Sequence, residues 1–266
     1  MNMTSQAPRR PAPRPNSSKL IAIASGKGGV GKTWLAVTLC QALGALGRRV
    51  LLFDGDLGLA NVDIQLGLMP DRDLHAVLAG RIALADAILP YRPEGAGGFD
   101  LIAGQAGSGG LAGLPTERLQ ALADRVLALG ATYDHTIIDL GAGIESAVRQ
   151  LSRPAATCLV VTTDEPTSLT DAYAFIKLTR RDFPETEFRI VVNMAASAHA
   201  GERTYRTIAK ACQSFLGVTP PLAAVIRRDE RVPDAIRHQV PLLMRHPNSP
   251  AAVDVRRLAE TLARPS

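Results

Sequence analysis

The sequence predicts an α/β fold, a doubly wound and mostly parallel sheet with helices on both faces. From Leu20 onward, short apolar runs of strand length alternate with longer segments of helical period. Several runs, such as Leu20–Ala24, Val50–Phe53 and Cys158–Val161, are continuously apolar, the pattern of strands covered on both sides. Aromatic residues make up only 4% of the 266, so the core rests on Leu, Val, Ile and Ala. That composition suits a buried sheet under alanine-rich helices.

Residues 1–18 hold four prolines and no aliphatic pattern, which predicts a disordered or polyproline-like Pro/Arg-rich arm. Residues 19–266 are expected to form one domain. Its expected elements begin with strand 20–25, helix 33–46 stopped by Gly47, and strand 49–53. A helical stretch near 74–79, a strand near 99–103, helix 115–129 and strand 136–140 follow. Helix 144–151, strand 157–162, helix 168–181 and strand 189–193 come next. Helix 203–215, a short strand near 222–226 and two terminal helices complete the order.

Hydrophobic residues at 46% and charged residues at 21% are ordinary globular usage, enough for a sizeable core. Of the net charge of +5, four charges (Arg9, Arg10, Arg14 and Lys19) lie in residues 1–19, leaving +1 from residue 20 on. Net charge therefore does not imply a basic surface across the whole domain. Cys40, Cys158 and Cys212 are widely spaced and sit in apolar stretches, so they are expected as small buried hydrophobes. Neither cysteines nor histidines show metal-ligand spacing. There is no apolar run of membrane-span length and no apolar signal core, so a cytoplasmic location is expected.

Gly26-Lys27-Gly28-Gly29-Val30-Gly31-Lys32-Thr33 matches G-x-x-x-x-G-K-[ST] between a strand and a helix, where a phosphate-binding loop must lie. Glycines let backbone N–H groups turn toward phosphates, and the helix N-terminus adds its dipole. Lys32 is expected on the β/γ-phosphates and the Thr33 hydroxyl on Mg²⁺. Two further strand ends carry acids: Asp54 and Asp56 after Leu51–Phe53, and Asp139 after Thr136–Ile138. Buried strand ends rarely hold carboxylates unless these meet a cation or polar ligand. Asp139 is expected to hold Mg²⁺ through water, and Gly141 to sense the γ-phosphate. Val191–Ala196 lacks the Lys and Asp of an N-K-x-D guanine site, so ATP is expected rather than GTP, with Asn193 at the adenine.

The second lysine in GKGGVGKT resembles the deviant Walker A loop of the MinD/ParA ATPases. The resemblance runs over nearly all of residues 19–262 and implies that residues 19–266 are an ATPase domain of that kind. It further implies that Lys27 reaches the partner subunit's nucleotide in an ATP-dependent homodimer. Asp56 matches the residue that positions the attacking water, Asp54 one that supports the magnesium site, and Asn193 the adenine-binding residue. Trp34, where smaller or polar residues are common, is counted with Gly26–Thr33 and Asn193 in the nucleotide-binding set.

The segments FDGDLGLANVDIQLGL, TTDEPTSLTDAYAFIK and HPNSPAAVDVRRLAETL resemble the flagellar-number regulators called FlhG or FleN. That likeness implies slow ATP hydrolysis and partners such as a flagellar GTPase, a switch-ring protein or a transcriptional regulator. The family's GTPase-activating N-terminal helix is replaced here by the basic arm. Its membrane-targeting C-terminal helix is replaced by a segment whose Val255, Leu258 and Leu262 spacing suits packing on the core. The alternative is a ParA-type chromosome, plasmid or cargo-positioning ATPase gripping DNA through Arg203, Arg206 and Lys210, with Arg227, Arg228, Arg231 and Arg237 near them in sequence.

Overall fold

The computed structural model describes residues 20–264 apart from 57, 95 and 105–113, so the expected arm lies outside the described residues. The strands are β1 (Leu20–Ser25), β2 (Val50–Gly55), β3 (Ile88–Tyr91), β4 (Phe99–Ile102), β5 (His135–Ala142), β6 (Thr157–Thr162), β7 (Glu187–Ala195) and β8 (Leu222–Arg227). Among the described residues they form one sheet in the order β3-β4-β2-β5-β1-β6-β7-β8. Every pairing is parallel except β3 with β4. The expected mostly parallel sheet is the observed one.

The helices are α1 (Lys32–Ala45), α2 (Val62–Leu66), α3 (Leu74–Leu78), α4 (Thr116–Gly130), α5 (Ser146–Ser152), α6 (Pro166–Asp182), α7 (Ala198–Leu216), α8 (Arg231–Arg237), α9 (Leu242–Arg245) and α10 (Pro250–Ala263). Side chains of β1 alternate between two apolar clusters: Leu20, Ala22 and Ala24 join one, Ile21 and Ile23 the other. The period of two along a strand forces this split, and both halves are apolar because both faces are covered. Helices α3 to α7 supply the first cluster; α1, α2, α8, α9 and α10 supply the second. The three cysteines are free and buried, as expected.

Two elements depart from the expected list. The edge strand β3 was not anticipated, because Ile88-Leu89-Pro90-Tyr91 is short and Pro90 cannot donate to a ladder. The C-terminal segment folds as three helices rather than two.

The last helix belongs to the core. Ala251, Ala252, Val255, Leu258 and Ala259 of α10 are buried against α1 and β8. Arg227 pins it: Nε donates to Asp254 Oδ2 at 2.8 Å and Nη2 to Oδ1 at 2.8 Å, and Nη2 also donates to the Pro250 carbonyl. Asp254 is 7% exposed, so losing its cation would strand a largely desolvated carboxylate. Arg227→Ala is expected to cost about 1–2 kcal/mol after allowance for the half-exposed arginine. That lowers Tm by about 4 °C in a chain of this size. An unchanged Tm in thermal denaturation would remove this clamp from the account. Among the described residues, no helix is long and apolar enough to cross a membrane.

Candidate functional site

The chain reverses its direction of travel across the sheet at β1, since β2 to β5 lie on one side of it and β6 to β8 on the other. Crevices at the carboxyl ends of strands form at such switch points. Every residue expected in the site lies there: the Gly26–Thr33 loop after β1, Asp54 and Asp56 at β2, Asp139 and Gly141 on β5, and Asn193 on β7.

The loop is shaped for phosphate. Gly29 and Gly31 have φ of +77° and +90°, conformations costly for a side chain, and Gly31 caps α1 with no side-chain hydrogen bond. The N–H groups of the first turn of α1 thus point into the crevice uncapped, a ready anion site. At Gly26 a Cβ would fall 2.1 Å from the Asp171 carbonyl oxygen, so the loop and α6 touch backbone to backbone. Lys32 is 8% exposed and donates to Ser25 Oγ at 3.0 Å. Burial holds its ammonium below the usual lysine range, while Asp139 and Asp56 pull the other way. A desolvated lysine with one neutral partner has donors to spare for phosphate oxygens.

Asp54 and Asp139 are paired in register across β2 and β5, which sets two carboxylates side by side in the sheet. Burial pushes Asp139 up to about 8, with Asp54 adding to the rise and Thr33 and Lys32 opposing it. Neither oxygen of Asp139 completes a hydrogen bond in the structure, although Thr33 is near enough to favour its charged form. Two buried, orphaned carboxylate oxygens beside the first turn of α1 fit a hydrated divalent cation completed by Thr33 and phosphate oxygens. No self-contained cage is needed, and among the described residues no cluster of three or more protein ligands exists.

Asp54, expected to support the magnesium site, makes hydrogen bonds of its own beside Asp139. Its Oδ1 accepts from the Asp56 N–H and its Oδ2 from the Val62 N–H, both at 3.2 Å, and burial pushes it up to about 7. Its carboxylate is occupied in holding the loop between β2 and α2. Asp56 Oδ1 accepts from the N–H groups of Gly58 and Leu59, and the side chain lies against Gly141, where an added Cβ would stand 3.2 Å from Oδ1. Among the described residues Oδ2 is uncommitted.

Asn193 is buried and its Nδ2 donates to the Val30 carbonyl at 2.8 Å. This bond fixes the amide's orientation and leaves Oδ1 as an acceptor. The neighbouring Met194 has φ of +56°, a rare conformation for a residue with a side chain. Trp34 differs from the rest of the expected nucleotide-binding set in where its side chain lies. Its indole is 4% exposed within the apolar cluster under the loop, so only its backbone N–H faces the crevice.

Sequence reasoning missed three contributors. Ser25 bridges Lys32 and the Lys27 carbonyl, to which its hydroxyl donates at 2.6 Å. Glu165 and Thr167, at the start of α6, both bind the Lys27 ammonium. The acid at the carboxyl end of β6 was the available signal, by the same logic that singled out Asp54 and Asp56. The proposed basic face is divided: Arg203, Arg206 and Lys210 are exposed on α7, but Arg227 is spent on α10.

Residues 21–242 match the CobQ/CobB/MinD/ParA nucleotide binding domain family. The chain is 39% identical over 242 residues to the antiactivator FleN of Pseudomonas aeruginosa, spanning 91% of this chain and 85% of that protein. It is 33% identical over 199 residues to the flagellum site-determining protein YlxH of Helicobacter pylori, spanning 74% of this chain and 65% of that protein. The solved structure of the septum site-determining protein MinD of Pyrococcus horikoshii, complexed with Mg-ADP, is similar with a TM-score of 0.76 and 26% identity, covering 92% of this chain and 95% of that one. With the loop, the strand-end carboxylates and the sheet order all in agreement, the chain belongs to the CobQ/CobB/MinD/ParA nucleotide-binding family and is a P-loop ATPase of the MinD/ParA type.

Proposed function

We propose that this ATPase is an ATP-dependent dimerising switch that sets the number or placement of flagella. The likeness to FleN and to YlxH supports the flagellar role. The observation that carries the switch is the presence of two lysines in one loop with different surroundings. Lys32 is buried in its own phosphate crevice, whereas Lys27 is at the surface, engaged with α6.

In this reading the loop N–H groups and Lys32 hold the β- and γ-phosphates. Thr33 and, through water, Asp139 would hold Mg²⁺, which would supply positive charge to the phosphates. Asn193 Oδ1 accepts from the exocyclic amine of adenine; guanine presents a carbonyl at that position and offers it no donor. Asp56 Oδ2 orients water toward the γ-phosphate. Gly141, against Asp56, transmits the presence of that phosphate to the loop after β2. Two chains close face to face, Lys27 enters the partner's site, and hydrolysis separates them. Turnover is slow because the output is timing.

Partners of three kinds follow from the flagellar reading: a flagellar GTPase, a switch-ring protein or a transcriptional regulator. A cytoplasmic location fits, and membrane contact through α10 would require its buried apolar side chains to leave the core. The test is microscopy of a strain lacking the protein, counting flagella and scoring nucleoid segregation in the same cells. Altered flagellar number with normal nucleoids is expected. Normal flagella with mispositioned DNA would instead assign the chain to the DNA-gripping class, through the exposed basic residues of α7.

A further inference from the structure

The Lys27 ammonium is not waiting free at the surface. It is ion-paired with the Glu165 carboxylate and donates to Thr167 Oγ1 at 2.9 Å. Both partners belong to the first turn of α6, Glu165 as its N-cap residue and Thr167 one residue beyond the proline that opens it. The same helix touches the phosphate loop through its backbone at Gly26, where no Cβ fits. Loop and helix are therefore in direct backbone contact beside Lys27, and its side chain spans from one to the other. Arg228, in the segment after β8, lies near enough to favour the ionised form of Glu165.

We infer that Glu165, with Thr167, is an internal latch that holds Lys27 within its own subunit until a second nucleotide-loaded chain competes for it. The inference rests on the reading of Lys27 as the residue that crosses between subunits. A lysine cannot satisfy its own α6 and a partner's phosphate at once, because its charge and its reach are single. Closure of the dimer must then break the Glu165 contact, and the energy of that contact is subtracted from the affinity of the two chains. The pair is exposed, at 35% and 59% for the two side chains, so the latch is weak. Exposed ion pairs shift equilibria by roughly two- to five-fold. A bias of that size raises the concentration at which ATP-loaded chains pair by the same factor.

The test uses the full chain with Mg²⁺ and a non-hydrolysable ATP analogue, following dimerisation by sedimentation velocity. Glu165→Gln removes the charge and keeps the shape. It is expected to lower the protein concentration at half-dimerisation by roughly two- to five-fold. Mg-ADP binding to the monomer, measured by calorimetry, is expected to stay unchanged. Thr167→Ala is expected to act in the same direction with a smaller effect. Lys27→Ala separates the two layers of the argument. If Lys27→Ala weakens dimerisation while Glu165→Gln leaves it unaltered or weakens it, the latch is overturned and the crossing lysine stands. If Lys27→Ala dimerises as the parent does, the crossing role itself is overturned, and the latch with it. In the Lys27→Ala background, Glu165→Gln is expected to give no gain; a persisting gain would show Glu165 acting on something other than Lys27 and would overturn the latch.

Discussion

Lys32→Ala is expected to weaken ATP binding by about 100-fold while leaving the fold intact. The loss follows from chemistry: a charge-assisted contact to phosphate in a desolvated crevice contributes about 1.5–3 kcal/mol. Retention of the fold follows from the surroundings of the lysine itself. Lys32 is nearly buried, burial holds its ammonium below the usual range, and the Ser25 hydroxyl is its hydrogen-bond partner. Removing such a group relieves a desolvation cost, so the melting temperature without nucleotide is expected to hold or rise. Two measurements check this, calorimetry with Mg-ATP and a melting curve without it. Retained tight ATP binding would refute the phosphate site. A collapse in stability would mean that the lysine is a structural member of the core.

Asp56→Ala is expected to separate binding from hydrolysis. Turnover should fall by roughly 10²–10⁴-fold, the usual contribution of a group that positions or deprotonates the attacking water. ATP binding should persist, because the hydrogen bonds of Asp56 go to the loop after β2 and its side chain lies against Gly141. The consequence is an ATP-bound dimer that does not come apart, visible as a stable species of doubled mass in Mg-ATP. A variant that hydrolyses at the parent rate would remove Asp56 from the mechanism. One secondary effect is built in: Asp56 Oδ1 also anchors the N–H groups of Gly58 and Leu59, so the loop loses its turn. Asp56→Asn keeps an oxygen for that turn and is expected to show the same loss of turnover with a better-ordered loop.

Most of the sheet was legible in the sequence because parallel strands covered on both faces have an unambiguous apolar signature. Leu20–Ser25 and Thr157–Thr162 coincide with β1 and β6 residue for residue. The site was legible because its chemistry is local: eight consecutive loop residues, and acids at strand ends. What stayed hidden depends on residues far apart in the chain. Nothing in the segment around Asp54 says that it lies in register with Asp139 or that it holds the Val62 N–H. Glu165 lies 138 positions from Lys27, and no pattern within either segment discloses the pair. Helix α2 was missed because five residues, Val62–Leu66, are too few to show a helical period. The indole of Trp34 turned inward because the first turn of α1 lies directly above the apolar cluster.

That last feature gives the chain an optical property. Trp34 is its only tryptophan, one residue beyond Thr33, buried, with Nε1 free of any hydrogen-bond partner in the structure. An indole in such surroundings emits at short wavelength and responds when neighbouring dipoles move. Loading of the crevice can therefore be timed by stopped-flow fluorescence of the unlabelled protein.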